Sequence, residues 1–130
     1  MESKTFSKGA IISADLTVEH AEGIRDFYQA VVGWGVEEMP MKEGDEPYSD
    51  YVMKDAEGNW AGGICHHRGT NLGIPPQWIA YINVDNIEAS IQRCLELGGA
   101  VVKESKDDTG KYQYAIIRDP AGAVLGLTSV

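Results

Sequence analysis

An internal repeat constrains the fold of this chain more than any other feature of its sequence. The segment DAEGN at positions 55–59 reappears as DPAGA at 119–123. Each copy is followed by a glycine three residues beyond its end, Gly62 in the first case and Gly126 in the second. Gly and Asp in such clusters are typical of tight turns between strands, so the repeat predicts the same turn in two places.

The segments that precede these turns repeat as well. LTV at 16–18 and INV at 82–84 each lead into an amphipathic stretch. Two copies cannot stack into a solenoid, which needs at least three repeats. The chain is therefore interpreted as a duplicated half-domain whose halves face each other across a pseudo-twofold axis. A pocket between the halves is then the expected place for function.

Length and charge limit the classes of function. A chain of 130 residues has the length of a single domain with a real core. Its 20 acidic and 11 basic residues give a net charge of -9, and the basic residues form no cluster. Phosphate groups would repel such a chain, so we expect no nucleic acid and no anionic membrane surface among its partners.

The sequence also favours a cytoplasmic location. The N-terminal segment MESKTFSK lacks the apolar core of a signal peptide, and no apolar run approaches the roughly 18 residues needed to cross a bilayer. The two cysteines, Cys65 and Cys94, are expected to be reduced and mostly buried thiols.

Hydrophobic periodicity predicts the order strand, helix, strand, strand, strand in each half. In the first half these elements are predicted over 9–18, 20–32, 34–39, 48–54 and 60–66, with an acidic loop at 43–47. The helix at 20–32 should end at Gly33, and its apolar positions recur with helical spacing at Ile24, Phe27, Tyr28 and Val31.

The second half restarts after a segment rich in glycine and proline. Elements are predicted over 78–84, 86–97, 100–103, 112–118 and 123–128, with Asp85 and Glu88 as a capping box for the helix. The helix should direct Ile87, Ile91, Cys94 and Leu95 inward. The modules therefore span about 9–67 and 77–130, joined by a linker at 68–76.

This order predicts an α+β fold. It consists of two βαβββ modules whose curved mixed sheets enclose a cleft, because a sheet covered by a helix on one face leaves its other face free.

The order of these elements and several sequence segments resemble the vicinal oxygen chelate superfamily, which includes glyoxalase I, bleomycin-resistance proteins and extradiol dioxygenases. The resemblance lies in LTVEHAEGIRDFYQAVVGW, in INVDNIEASIQRCLELGGAVV and in the terminal RDPAGAVLGLTS. It covers most of the chain. It implies the fold named above, and it implies a homodimer.

The metalloenzymes of this superfamily hold a divalent ion with a His or Gln on each module's first strand and a Glu on its last. Counting along this sequence, these positions fall on Ser13, Ile79, Gly62 and Gly126. None offers the imidazole or carboxylate donor that such a site needs at about 2.0–2.2 Å. The chain therefore resembles a metal-free, glyoxalase-like branch of the superfamily, and no cofactor is expected.

Strand alternation predicts which side chains line the cleft in place of a metal. If Leu16 and Ile82 face the helices, their neighbours face the cleft, and glycines there would let a flat ligand approach the sheet. The predicted ligand-binding residues are Ser13, Asp15, Thr17, Asp50, Trp60, Gly62, Ile64, His66, Ile79, Tyr81, Tyr112, Tyr114 and Gly126.

Asp15 and His66 are the candidates for acid–base chemistry, and each has a second interpretation. Asp15 is either a general base or a carboxylate that is hydrogen-bonded for structural reasons. His66 is either an acid–base group or a partly exposed histidine at a strand end. Trp60 and Tyr81 are likewise either platforms for a ligand or core residues.

Two functions follow from these observations. The first is a protein that binds a small organic molecule in its cleft without the family metal. The alternative is an enzyme, either a lyase or isomerase of glyoxalase type or an oxygenase-like protein of dioxygenase type. Fold alone does not decide between them.

Overall fold

The computed structural model describes residues 6–130 and consists of two helices and eight strands. The first five residues, part of the N-terminal segment considered above for a signal peptide, lie outside the described residues. The first elements are β1 (Ile11–Val18), α1 (Ala21–Val32), β2 (Gly35–Glu43), β3 (Glu46–Lys54), β4 (Trp60–His66) and a 3-10 turn (Gly69–Asn71). The others are β5 (Trp78–Asn83), α2 (Ile87–Glu96), β6 (Ala100–Lys106), β7 (Tyr112–Arg118) and β8 (Val124–Thr128).

The predicted α+β class and the repeated element order are confirmed. The chain divides into two compact units: residues 14–78 form the first, and residues 79–130 with the segment before Ala14 form the second. The segment predicted as a linker at 68–76 falls within the first unit, where Glu43 accepts hydrogen bonds from the Arg68 side chain and from the Gly69 N–H.

The two units have the same internal topology. In the first unit the strand order is β2-β3-β4-β1, with β1 parallel to β4 and the other pairs antiparallel. In the second unit the order is β5-β8-β7-β6, with β5 parallel to β8 and the other pairs antiparallel. In both cases a parallel pair joins the first and last strands of a module, which places their side chains next to each other.

Each unit buries its own apolar core. Under α1 the core consists of Ala21, Tyr51, Met53 and Ile64, and under α2 it consists of Ile87, Ile91, Ala115, Ile117 and Leu127. Fewer helix residues face the core than the helical spacing predicted. Phe27 and Val31 on α1 are 54% and 65% exposed, and Leu95 on α2 is 52% exposed, because only a narrow stripe of each helix touches its sheet.

The repeated turn has one physical basis. In both copies the aspartate at its start accepts hydrogen bonds from backbone N–H groups two and four residues later, through Asp55 and Asp119. The structure shows the same arrangement a third time at Asp107, between β6 and β7, where Gly110 takes a φ of 85°. The sequence DDTG had the required spacing, but it lies outside the repeat and was not predicted.

Other boundaries differ from the prediction. Strands β2 and β3 extend through most of the acidic loop predicted at 43–47, because a tight turn at Gly44, with a φ of 60°, is enough to join them. The N-cap of α2 is Asn86, which accepts from the Ala89 N–H, rather than Asp85. Neither of the two helices in residues 6–130 is long and apolar enough to cross a membrane.

Candidate functional site

The register between β1 and β4 determines which side chains share a face of the first sheet. Asp15 pairs with Gly63 and Thr17 with Cys65, while Leu16 pairs with Ile64 and Val18 with His66. Ile64 and Val18 pack in the core under α1. Asp15, Thr17, Gly63 and Cys65 therefore lie on the face away from α1.

This register corrects three predicted positions. Gly62, Ile64 and His66 were assigned to the face away from the helix, and the structure places them on the face of α1. The reason is that alternation shows which residues of one strand share a face. It does not show which of the two faces this is, because that depends on pairing with a strand distant in sequence. Trp60, at the start of β4 beside a register shift, is 63% exposed.

The carboxylate of Asp15 occupies space that a side chain at position 63 would fill. A Cβ built on Gly63 would lie 2.5 Å from Oδ1 of Asp15 and 3.3 Å from its Cγ. Gly63 thus has a packing role that only glycine can serve while Asp15 keeps this position. The glycine that lies under the Asp15 carboxylate is Gly63, one residue beyond the position predicted from spacing.

Asp50 lies beside Asp15 and is 4% exposed. Its Oδ1 accepts a hydrogen bond of 2.8 Å from the His66 backbone N–H, and its carboxylate also accepts from the Cys65 thiol. Burial raises the pKa of Asp15 above its ordinary value, and the negative charge of Asp50 raises it further. The two carboxyl groups therefore form an interacting pair on the face away from α1.

Cys65 is unsuited to nucleophilic catalysis. Burial, with the charges of Asp50 and Asp15, raises the pKa of its thiol to about 12. The thiolate is the reactive form of cysteine, so this side chain acts as a small hydrogen-bond donor instead.

His66 connects the buried carboxylate to the protein surface. Its Nδ1 lies 3.2 Å from Oδ1 of Asp50, and its Nε2 lies 2.8 Å from Oε1 of Glu22 on α1. The His66 side chain is 11% exposed, whereas the Glu22 side chain is 59% exposed. His66 is thus not the partly exposed histidine of the second interpretation, because its ring is buried with a carboxylate next to each nitrogen. Its role in acid–base chemistry stays a prediction.

The second unit repeats the arrangement with different chemistry. Tyr81 pairs with Gly126 on the face away from α2, and a Cβ at Gly126 would overlap the Tyr81 ring. Tyr81 immediately precedes the INV segment and Asp15 the LTV segment, so the two residues hold equivalent positions. Each lies over a glycine of the parallel partner strand.

The other predicted residues of the second unit are distributed over both faces. The Tyr114 ring meets that of Tyr81 at a centroid distance of 6.2 Å, and Ile79 is 1% exposed. Tyr112 is a correction, because it packs against the core under α2. Side chains of β7 do not alternate regularly at Tyr112, because a register shift lies beside Lys106, the residue that pairs with Tyr112.

The sequence of almost the whole chain matches one known family. Residues 12–128 match the family described as a glyoxalase-like domain. The chain belongs to the glyoxalase-like domain family. The resemblance to the vicinal oxygen chelate superfamily inferred from the sequence is confirmed by this match.

Curated relatives of this glyoxalase-like chain are longer proteins. It is 31% identical over 123 residues to the Mycobacterium bovis protein named "Putative glyoxylase CFP32", covering 94% of this chain and 46% of that one. It is 24% identical to the anthracycline biosynthesis protein DnrV of Streptomyces peucetius, covering 94% of this chain and 47% of that one. The chain thus spans about half the length of these relatives.

Solved structures share the fold at low sequence identity. A glyoxalase/bleomycin resistance protein/dioxygenase superfamily member from Vibrio splendidus superimposes with a TM-score of 0.54 at 13% identity, covering 91% of this chain and 97% of that one. At this identity the similarity supports the fold alone.

The residues of this glyoxalase-like chain do not fit the metal of the superfamily's metalloenzymes. The four counted positions carry a hydroxyl, an isoleucine and two glycines, and the space over Gly126 is filled by the Tyr81 ring. Within residues 6–130, no three His, Cys, Asp or Glu side chains are grouped so as to hold a metal ion.

Each unit has a surface cavity. One of about 100 Å³ is bordered by Thr17, Val18, Glu19, His67, Ile74 and Pro76. The other, of about 250 Å³, lies at the start of α2 beside Asn86 and Tyr112. Neither includes Asp15, Asp50 or Tyr81, and both are smaller than the roughly 300–1,000 Å³ that a drug-sized ligand needs.

Replacing Asp15 with asparagine is expected to stabilise the fold at neutral pH. The pKa of Asp15 is raised on folding, so the folded state favours the protonated carboxyl. The stability that the protonated carboxyl contributes is complete below the ordinary pKa of 3.8 and is lost as the pH rises through the folded pKa. Each unit of pKa difference corresponds to about 1.4 kcal/mol. Urea unfolding of Asp15→Asn and wild type should therefore diverge above pH 4 and coincide below it. Equal stabilities at pH 7 would contradict this.

Proposed function

We propose that this glyoxalase-like chain binds a small organic molecule without the family metal, on the sheet face that carries Asp15. The observation that carries the proposal is the position of the Asp15 carboxylate over Gly63, its direct partner on β4, which has no side chain. A carboxyl group held in this way offers a directed hydrogen-bond partner to a ligand that lies flat on the sheet.

The chemistry of Asp15 suggests the class of ligand. With its pKa raised by burial and by Asp50, the Asp15 carboxyl can donate a hydrogen bond when protonated and accept one when ionised. A ligand carbonyl suits the protonated state, and an enol or hydroxyl group suits either state. The names of the relatives, a glyoxylase and a protein of anthracycline biosynthesis, also support a test of vicinal dicarbonyl and aromatic ketone compounds.

Acid–base catalysis is the second candidate function. A carboxyl group with a raised pKa is the kind of group that isomerases and lyases use to move protons next to a carbonyl. In this reaction Asp15 would take a proton from carbon and return it. A pH-dependent turnover of a bound carbonyl compound, lost in Asp15→Asn, would establish this candidate over binding alone.

The binding proposal predicts hits in a thermal-shift screen of aromatic ketones and vicinal dicarbonyls. For such a hit, Asp15→Asn should raise the dissociation constant measured by calorimetry about ten-fold or more, since a hydrogen bond to a charged group contributes about 1.5–3 kcal/mol. Asp45→Asn, which changes an exposed aspartate in the β2–β3 turn, is the control and should leave the affinity unchanged.

Two results would overturn the binding proposal. One is the absence of any hit, or hits that Asp15→Asn does not weaken. The other concerns the metal: stoichiometric Ni, Zn, Fe or Mn in protein purified without a histidine tag or chelator would contradict metal-independent binding. Homodimerisation, which the resemblance implied, stays a prediction.

A further inference from the structure

The Glu22–His66–Asp50 chain joins an exposed carboxylate to a buried one through a single imidazole. Both ring nitrogens of His66 face carboxylate oxygens, at 2.8 Å for Glu22 and 3.2 Å for Asp50. A neutral imidazole carries one N–H, so it can donate to only one of the two carboxylates. The arrangement is complete only if the ring is protonated or if one of the carboxyl groups carries a proton.

A neighbouring histidine shows that this arrangement is specific. His67 also faces a carboxylate, with Nδ1 3.1 Å from Oε1 of Glu19, but its Nε2 accepts the Gly73 backbone N–H at 3.1 Å. The ring of His67 therefore ends on a backbone donor and leads to no second acid. Of these two histidines, His66 alone has an acidic group on each side.

The residues around Glu22, His66 and Asp50 isolate the Asp50 carboxylate from solvent. The rings of Tyr48 and Tyr51 pack on His66 at centroid distances of 5.6 and 6.0 Å, and the Asn71 amide donates to the His66 carbonyl. The Arg25 guanidinium lies over the Tyr51 ring, 4.7 Å from its centroid. On its other side Asp50 meets Cys65 and the charge of Asp15.

We propose that Glu22 and His66 form a proton relay that loads and unloads Asp50, and through Asp50 sets the charge beside Asp15. Its purpose rests on the proposed function, because the relay would adjust the charge on the face where a ligand meets Asp15. Glu22 and His66 are then positioning residues and touch no ligand themselves.

The transfer balances without any other reactant. A protonated Glu22 gives its proton to Nε2 of His66, whose Nδ1–H passes to the Asp50 carboxylate. Glu22 becomes ionised, Asp50 becomes neutral, and the imidazole changes tautomer with no net change of charge. The reverse sequence returns the proton to solvent at Glu22, whose side chain is 59% exposed.

The relay can be tested on ligand-free protein by a light-triggered drop in pH followed by time-resolved infrared spectroscopy. The carboxyl band that disappears in Asp50→Asn reports the protonation of Asp50. Its rise should be about a hundred-fold slower in Glu22→Gln and in His66→Gln, as expected for loss of a positioned proton donor. Glu19→Gln and His67→Gln, which alter the neighbouring acid–histidine pair, should match the wild type.

Equal rates in all variants would overturn the relay, as would equal slowing in the two controls or the absence of any Asp50-dependent band in the wild type. If His66→Gln does not fold, Glu22→Gln still decides the question, because Glu22 lies on the surface of α1. The measurement uses no ligand, so a failed relay leaves the binding result intact, and a failed binding screen leaves the relay intact.

Discussion

Gly126→Ala is expected to lower the free energy of unfolding by about 3 kcal/mol, the upper part of the range for overpacking a well-filled site. The added methyl group would overlap the Tyr81 ring, including the ring carbon next to Cβ, which cannot swing away without moving β5. The measurement is urea unfolding, with the midpoint compared at constant slope.

A matched control is available in α1. Apart from its chain neighbours and its own helix backbone, Gly23 has no atom within 4 Å of the place a Cβ would take, so Gly23→Ala should stabilise the protein by about 1 kcal/mol through helix propensity. The Gly126→Ala penalty should also fall below about 1 kcal/mol in a Tyr81→Ala background, because the two sites are in contact. A penalty that persists without the tyrosine ring would show that Tyr81 is not its cause.

His66→Ala is expected to destabilise the protein by about 3 kcal/mol, as is usual when one partner of a buried ionic network is removed. The substitution takes the Nδ1 contact away from the buried Asp50 carboxylate, and it removes the contact between α1 and β4 through Glu22. Thermal and urea unfolding both measure this loss.

His67→Ala provides the comparison, since His67 is the next residue and also meets a carboxylate. The His67–Glu19 pair is more exposed, so its removal should cost less than about 1 kcal/mol. Similar losses for the two variants would contradict the view that burial makes the His66 network important. A loss of this size in His66→Ala is also the reason why the relay is tested with Glu22→Gln.

Local sequence patterns predicted the elements because each depends on neighbouring residues. The repeated Asp–Gly turns formed as expected, since one aspartate side chain and two backbone N–H groups suffice to make them. Helix α1 ends at Gly33, which has a φ of 82°. The boundary of β2 was less accurate, because pairing with β3 continues that strand through residues whose own preference is for a loop.

The faces of the strands were predicted in part in both units, since Tyr112 of the second unit packs against the core under α2. Tyr81, Tyr114 and Gly126 lie away from α2 as alternation indicated. Ile64 lies under α1 against the prediction, because the phase of β4 is set by its pairing with β1. That pairing joins residues almost 50 positions apart, and no pattern within either strand encodes it.

The network around Asp50 shows what sequence reasoning missed. Asp50 and His66 were predicted as candidates to meet a ligand, whereas the structure buries Asp50 at 4% exposure and bonds it to His66. Glu22 was not predicted at all. It lies on a helix, 44 positions from His66, and a glutamate in the first turn of a helix is ordinary on its own.

The sequence by itself determined the duplicated architecture, the family, and the lack of metal-binding side chains at the four counted positions. Those features are written in residue types and short spacings. The tertiary structure decided that the Asp15 side chain lies over Gly63, that the Tyr81 ring lies over Gly126, and that His66 contacts two carboxylates. These depend on strand register and on contacts between distant segments, where a shift of one residue exchanges the two faces of a strand.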